Sequence, residues 1–289
     1  MPIKWKGRSR GTLLGYKIFV FLIRYAGLSG AYFLLVFVAS YFMIFSSADR
    51  NTIYKFYRKK LAYGRLKSVL ASYKNFFVFG QTIIDKVAIY SAAKADFTYA
   101  FEGQQYLEEI IAAGKGGMII SAHIGNFEVA GHLLRRLNAK INQVTTDAEH
   151  ARIKDYLNAV MVNQSNSYIV VKNNMTHIFE IDAALKNNEL ICFTGDRFFD
   201  KTKTIPANFL GEEANFPAGP FHLTTRFKIP YSFVFAMKEG ARHYHFYATP
   251  GKVNEGSVND MVNEFTKALE DMVQKYPAQW FNYYDFWAK

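Results

Sequence analysis

The chain has little cysteine or proline, and acidic side chains are nearly missing from its N-terminal quarter. Cys192 is its one cysteine among 289 residues, which excludes both a disulfide scaffold and a cysteine-based zinc site. Seven prolines and no Gly/Ser-rich stretch exclude modules strung on flexible linkers. Half of the residues are apolar and 17% are aromatic, so the chain is not intrinsically disordered. This length predicts one compact core with an appendage.

The positive charge is concentrated at the N-terminus. Residues 1–74 hold 14 of the 35 Lys and Arg side chains but one acid, Asp49. Basic arms bind nucleic acid or anionic membrane surfaces. The uncharged stretch from Tyr25 to Ala48 contains the run Leu28–Phe45, which as a helix is long enough to cross a hydrocarbon core of ~30 Å. We therefore expect an anionic membrane surface as the partner of this arm, and no nucleic acid.

Three placements of the apolar run stay open. A simple span leaves one flank poorer in Lys and Arg, whereas both flanks of this run are strongly basic. That pattern favours a segment that dips into the cytoplasmic leaflet or lies along it, over a true span. A buried core helix is the third reading. The predicted organisation is a basic, membrane-associated helical region over 1–90 and a second domain over 91–289.

After Phe101, helices alternate with short apolar strands. We predict strands at 118–121, 141–145, 168–171, 189–194, 231–236 and 243–249. We predict helices at 104–113, 127–137, 149–163, 175–186, 220–227 and 258–276, after one or two amphipathic helices within 49–90. This alternation is typical of an α/β fold with a mainly parallel central sheet flanked by helices. The segment 195–219 is predicted to be a long functional loop.

His123 lies two residues after the strand 118–121, at the sheet edge where α/β proteins place their sites. Glu128 lies five residues further on. A carboxylate that accepts a hydrogen bond from one imidazole nitrogen fixes the tautomer, so that the other nitrogen can take a proton. The spacing is compatible with a general base that activates a hydroxyl or amine of the substrate.

Further polar and glycine-containing segments support a site at this edge. Gly125-Asn126 leaves backbone room beside the imidazole. The strand 189–194 ends at Gly195-Asp196-Arg197, which adds an acid and a fixed cation. The segment Phe216–Pro220 opens a helix whose free N–H groups can hold an anion.

The stretch GGMIISAHIGNFEVAG resembles the first motif of the glycerolipid-type acyltransferase superfamily, and in particular the branch that adds secondary acyl chains to lipid A. The resemblance covers essentially the whole chain. It continues through Gly195–Arg197, Phe209–Gly211, Phe216–Pro220, Ile229-Pro230 and Pro277–Trp280.

This resemblance implies transfer of a fatty acyl chain from a thioester of acyl carrier protein or coenzyme A to a hydroxyl or amine of a lipid acceptor. It implies His123 as general base and Glu128 as its orienting partner. Asn126, Asp196, Arg197 and Gly219 are implied to line the substrate site, with Arg197 meeting a phosphate. No cofactor or metal is expected, and the implied location is the cytoplasmic face of a bacterial inner membrane.

Two departures leave the acceptor open between a lipid A-type precursor, an aminolipid and a lipid-linked aromatic pigment. Many superfamily members have Glu-Gly where this chain has Ala218-Gly219, and the tail reads YYDFW instead of a basic aromatic end. Rival readings are a metal site of His123, Glu128 and His132, a hydrolase that uses Ser121 or Cys192, and a non-catalytic lipid-binding relative. Phe-rich segments (Phe193, Phe198, Phe199, Phe209, Phe216 and Phe221) are candidates to line an acyl groove or to fill the core.

Overall fold

A computed structural model describes residues 11–91, 95–127, 129–130, 137, 139–145, 151–161, 167–172, 174–198 and 202–287. The chain forms two compact units. The first takes in 1–98, 148–164 and 276–285, and the second takes in 99–147, 165–275 and 286–289. The first unit thus recruits two later segments to the N-terminal helices. The boundary at residue 90 stays a prediction about domain organisation.

The helices are α1 (Leu13–Tyr25), α2 (Gly27–Phe45), α3 (Ser47–Lys59), α4 (Arg65–Tyr90), α5 (Gln104–Ala112), α6 (Ala151–Val160), α7 (Thr176–Lys186), α8 (Ala218–Phe227) and α9 (Val258–Lys275), with a 3₁₀ turn at Pro277–Gln279. The strands are β1 (Thr98–Glu102), β2 (Gly117–Ser121), β3 (Ile141–Thr145), β4 (Ser167–Val170), β5 (Leu190–Thr194), β6 (Thr204–Phe209), β7 (Glu212–Pro217), β8 (Pro230–Lys238), β9 (His243–Ala248) and β10 (Lys252–Val253).

The central sheet has the order β1-β9-β8-β2-β5-β3-β4, with β10 beside β8. Pairing is parallel from β8 through β2, β5 and β3 to β4, whereas β9 and β10 run antiparallel to β8. The prediction of an α/β fold with a mainly parallel sheet is therefore confirmed. β2 lies at the centre, and all five of its residues are buried.

The segment 195–219 is not an extended loop. Much of it forms the antiparallel hairpin β6–β7, in which Thr204 pairs with Pro217 and Phe209 with Glu212. Along β6 the residues Ile205, Ala207 and Phe209 are buried, and the residues between them are more exposed. This period of two is a strand signal that Pro206 and the polar neighbours obscured.

Of the aromatic residues considered for an acyl groove, Phe209, Phe216 and Phe221 are fully buried in the core. Phe216 and Phe221 pack against Phe265 of α9, with ring centroids 6.1 and 5.4 Å apart. These three rings therefore serve packing. Phe199 lies outside the described residues.

In the first unit, α2 places one face against α4. Its buried residues Leu28, Ala31, Leu35 and Ala39 recur at steps of three and four, as expected of a helix with one packed face. Within the described part of the chain, α2 is the one helix long and apolar enough to cross a bilayer, and 22% of its apolar window is buried. The interpretation of α2 as a buried core helix is therefore wrong for most of the helix surface.

Candidate active site

The parallel pairing of β2 with β5 brings together two polar segments that are distant in the sequence. Ser121 lies opposite Thr194 at the carboxyl ends of these strands, and the Gly195 N–H donates to the Ser121 carbonyl at 2.8 Å. Both chains leave the sheet at the same edge. As a result, His123 and Asp196 meet two residues beyond their strands.

Asp196 holds His123 by two contacts. One carboxylate oxygen, Oδ1, lies 2.7 Å from imidazole Nδ1, and the other, Oδ2, accepts the backbone N–H of His123 at 2.9 Å. The aspartate side chain is 2% exposed and the histidine side chain 17%. A proton on Nδ1 donated to the carboxylate places the imidazole lone pair on Nε2. This arrangement is that of a general base whose tautomer and ring orientation are fixed.

The ionised form of Asp196 is favoured in spite of its burial. Burial alone raises the pKa of this carboxyl, but the charge and hydrogen bonds of His123, together with the charge of Arg197, outweigh it and lower the pKa below its ordinary value. Arg197 follows directly in the sequence and is half-buried. A carboxylate that stays ionised in this position is able to stabilise an imidazolium.

A tight turn after His123 is anchored on the neighbouring strand β8. Gly125 has φ +59°, and a Cβ there would lie 2.1 Å from the Ala236 carbonyl oxygen. The same carbonyl accepts the N–H of Asn126 at 2.7 Å. Gly125 is therefore required both for its backbone conformation and for this close approach.

Asn126 is buried, at 4% exposure. Its amide donates to the Tyr244 hydroxyl at 3.2 Å, and its side-chain oxygen accepts the N–H of Val129 at 3.4 Å, as at a helix N-cap. In the described structure Asn126 thus fixes the start of the helical turn next to His123. Its predicted contact with substrate stays a prediction.

Gly219 lies within the described structure, and Glu128 does not. Gly219 is exposed in the first turn of α8, where a Cβ would meet nothing within 4 Å. Phe221, two residues further on, packs against Gly195, since a Cβ on that glycine would come 3.2 Å from the Phe221 ring. Glu128, the predicted orienting partner, lies outside the described residues.

A cavity opens on one face of the sheet beside the His123 loop. It is a small pocket open to solvent, lined mainly by apolar groups of β2, β3, β5 and β8. Phe127 forms part of its wall, and its ring also contacts His123 edge-on at 5.2 Å between centroids. An apolar space thus adjoins the imidazole.

The sequence profile of the family described as bacterial lipid A biosynthesis acyltransferase matches residues 12–288. The chain belongs to this family. The acyltransferase class predicted from the motifs is therefore confirmed at the level of the family.

Among curated proteins, the phosphatidylinositol mannoside acyltransferase of Mycobacterium tuberculosis (strain ATCC 25618 / H37Rv) is 25% identical over 184 residues. The match covers 62% of this chain and spans 56% of that relative's length. Among solved structures, the 1-acyl-sn-glycerophosphate (LPA) acyltransferase PlsC from Thermotoga maritima aligns over 88% of this chain and 99% of its own, with a TM-score of 0.39 and 11% identity.

For a member of this acyltransferase family, the two rival nucleophiles have unsuitable surroundings. Burial raises the pKa of the Cys192 thiol to about 12, so the thiol stays protonated at neutral pH. The Ser121 hydroxyl is buried, with no hydrogen-bond partner among the described residues, and thus no base there to activate it. The rival metal site depends on Glu128 and His132, which both lie outside the described part of the chain.

The contact between Asp196 and His123 is the feature that sequence reasoning missed, because it had placed Asp196 in the substrate site. A signal was present, since two predicted strands each ended in a polar segment. The missing information was that β5 is the neighbour of β2. His123 and Asp196 are 73 positions apart in the sequence, so no local pattern reveals their contact.

Proposed function

We propose that this protein transfers a fatty acyl chain from an acyl thioester to a hydroxyl or amine of a lipid acceptor, with His123 as general base. The observation that carries the proposal is the 2.7 Å contact between imidazole Nδ1 and the buried Asp196 carboxylate. A neutral imidazole held in this way presents Nε2 as the proton acceptor.

In the proposed mechanism, Nε2 of His123 takes the proton as the acceptor oxygen or nitrogen attacks the thioester carbonyl. The new bond forms a tetrahedral oxyanion, and the imidazolium is stabilised by Asp196. Collapse of the oxyanion breaks the carbon–sulfur bond, and the imidazolium returns the proton to the departing thiolate. The products are the acylated lipid and the free thiol of acyl carrier protein or coenzyme A.

Arg197 and Gly219 are the proposed contacts for negatively charged groups. Arg197 follows the orienting acid and provides a permanent charge for a phosphate of donor or acceptor. Gly219 lies in the first turn of the ten-residue helix α8, where the positive end of the helix dipole favours anions. Asn126 keeps the backbone between His123 and the helical turn in place.

The proposed acyl chain enters the cavity beside Phe127. Burial of each methylene there contributes about 0.8 kcal/mol. The lining supports this use, because Ile119, Ile141 and Val234 are apolar. Phe127 contacts both the cavity and the imidazole, so it lies where a chain attached to the reacting carbonyl passes.

The proposed acceptor is a lipid A-type precursor at the cytoplasmic face of a bacterial inner membrane. The family match over residues 12–288 supports it. The relative from Mycobacterium tuberculosis is named for a phosphatidylinositol mannoside, so a glycolipid with another headgroup is an alternative. An aminolipid or a lipid-linked aromatic pigment fits the same chemistry.

Mass spectrometry of membrane lipids tests the function directly. Cells that express the full chain are compared with cells that express His123→Ala, and one acylated lipid species is expected to disappear in the variant. His245→Ala is the matched control, because β8 separates its strand from β2 and its imidazole contacts Glu239 at 3.4 Å. Identical lipids in wild type and His123→Ala contradict the proposal, and the mass of a missing species identifies the acceptor.

The two candidate acids are separated by Asp196→Asn and Glu128→Gln in the same assay with purified protein. If Asp196 alone orients the imidazole, only Asp196→Asn lowers turnover. A larger loss of turnover in Glu128→Gln than in Asp196→Asn identifies Glu128 as the orienting acid.

A further inference from the structure

α2 packs along α4 in the antiparallel direction, as three contacts show. Near its start, the Tyr32 hydroxyl donates to the carboxylate of Asp85. Further along, a Cβ on Gly80 would come 2.3 Å from the Leu35 side chain, so this glycine leaves room for Leu35 against α4. Beyond that point the Tyr73 hydroxyl donates to the Val36 carbonyl at 3.3 Å. Wherever α2 lies, α4 must accompany it.

α4 is unsuited to a hydrocarbon interior. It carries Lys74, Asp85 and Lys86 along the stretch that accompanies α2. Charged side chains are costly at the centre of a bilayer. A transverse α2 would therefore draw these charges into the membrane with it.

The C-terminal segment adds a second obstacle to a transverse position. Buried Asn75 of α4 donates to the carbonyls of Ala278 and Trp280, at 3.2 and 2.9 Å, and accepts the Tyr283 hydroxyl at 2.9 Å. This partner segment is largely irregular backbone. Irregular backbone at membrane depth must be covered by protein, and this segment also carries the exposed charged residue Asp285.

The face of α2 turned away from α4 is a row of large exposed side chains. Phe33, Phe37, Tyr41 and Phe45 follow one another at steps of four and are 57–70% exposed. The rings contact their neighbours, with centroids 5.4 Å apart for Phe33 and Phe37 and 4.8 Å for Tyr41 and Phe45. Four aromatic rings in one row form a continuous apolar surface.

A second row of the same kind lies on α1. Leu14, Ile18, Phe21 and Tyr25 recur at steps of four, three and four and are 42–71% exposed. Lys17 lies beside this row, with its ammonium over the Tyr156 ring at 5.9 Å from the centroid. The two rows are called here the α1 row and the α2 row.

We propose that the α1 and α2 rows lie in the plane of one leaflet of an anionic bilayer, as a monotopic docking surface, and that α2 does not span it. This inference rests on the proposed site of action at a membrane. The partner is lipid because the rows carry no charge, while residues 1–74 around them hold 14 basic side chains and one acid. Apolar rows bury in the boundary between headgroups and acyl chains, and the basic side chains meet anionic headgroups.

Cysteine labelling tests whether α2 spans. Lys17→Cys and Asn51→Cys are introduced singly in full-length Cys192→Ser, on exposed positions before and after α2. We expect a membrane-impermeant maleimide to label both cysteines in inverted inner-membrane vesicles and neither in right-side-out vesicles. Labelling of the two cysteines from opposite sides overturns the in-plane position.

Vesicle binding tests the surface itself. The purified full chain is mixed with vesicles of equal parts phosphatidylcholine and phosphatidylglycerol, and Phe37→Asp is expected to lower partitioning about tenfold or more. Phe179→Asp, at an exposed position of α7, is the matched control and is expected to bind as wild type does. Unchanged binding of Phe37→Asp, or equal binding to pure phosphatidylcholine, overturns the proposed lipid surface.

Neither measurement depends on catalysis. Both are repeated in His123→Ala, in which the proposed acyl transfer is lost and docking is expected to be unchanged. If the wild-type protein docks in this way but transfers no acyl chain, the docking proposal stands and the proposed function is contradicted.

Discussion

A carboxylate that is nearly fully buried stays ionised only when its surroundings replace the lost water. For Asp196 the replacement is a backbone N–H, an imidazole and the charge of Arg197. The same contacts that hold the charge also aim the imidazole. We therefore expect stability and the proposed activity to depend on the same contacts, so that a change of Asp196 affects both.

Asp196→Asn is expected to lower kcat about a hundredfold or more with little change in KM, because the amide is a poorer acceptor for Nδ1–H and no longer stabilises an imidazolium. The pKa of Asp196 is lowered in the folded state, so its contribution to folding is present above about pH 4, the unfolded value, and is lost as the pH falls through the folded value. Steady-state kinetics and thermal unfolding between pH 5 and 3, as approximate limits, measure the two effects.

The wild type should lose stability with falling pH more steeply than Asp196→Asn, since the amide does not titrate. Equal slopes in that window mean that the folded pKa is not lowered. An unchanged kcat removes Asp196 from the mechanism, whatever the slopes are.

His123 could be predicted from the sequence and its contact with Asp196 could not. A polar residue directly after an apolar strand identifies a sheet edge from local sequence alone. The partner acid is set by strand order, which here places β5 beside β2 with β8 on the other side. Strand order depends on how the helices cover both faces, and no local pattern encodes it.

At the scale of elements, two positive-φ glycines allow a backbone effect to be separated from a packing effect. Gly125 at φ +59° lies against the Ala236 carbonyl, whereas Gly211 at φ +78° turns the β6–β7 hairpin with nothing within 4 Å of its Cβ position. Both pay the cost of a left-handed conformation when replaced by alanine. Only the first also forces the backbone away from β8.

Gly125→Ala is therefore expected to destabilise the protein by about 2 kcal/mol more than Gly211→Ala. It should also lower kcat, since the turn that joins His123 to Asn126 is displaced. Chemical denaturation and kinetics of both variants check this. If the two variants behave alike, the close approach to Ala236 does not position the site.

Regular elements were predicted best where the apolar pattern was strong, and β2 at Gly117–Ser121 lies within one residue of the predicted bounds. The hairpin β6–β7 was missed because its alternation is interrupted by proline and charged residues. α1 was missed because Lys17 and Arg24 interrupt its apolar residues. Both misses come from tertiary packing that makes use of weak local patterns.

At the scale of the molecule, the C-terminal segment is joined to the N-terminal helices by hydrogen bonds and aromatic packing. Tyr57 of α3 donates to the Pro277 carbonyl at 2.9 Å, and Trp280, 1% exposed, packs on Phe56 with centroids 4.9 Å apart. Pro277–Trp280 belongs to the terminal motif that the sequence analysis singled out. In this structure the motif packs on α3 and α4, and it therefore holds the first unit together.

The same reasoning applies to the aromatic tail. Trp287 donates its indole N–H to the Phe209 carbonyl at 3.2 Å, and Phe286 packs on Phe216 with centroids 5.5 Å apart. These rings close the hairpin β6–β7 inside the second unit. The aromatic character of the tail thus has a packing reason that is independent of the acceptor, so the tail does not argue against lipid A.

Asn75→Ala is expected to destabilise the first unit by about 3 kcal/mol, because it removes the hydrogen bonds to Ala278, Trp280 and Tyr283 and leaves the buried Trp280 carbonyl without this donor. Asn51→Ala, on the exposed side of α3, is the matched control and should be near neutral. Urea unfolding of the detergent-solubilised full chain measures both. Because residues 276–285 and α4 belong to one unit, protease cleavage near the C-terminus should accelerate in Asn75→Ala. A variant as stable and as resistant as wild type shows that this segment is held without Asn75.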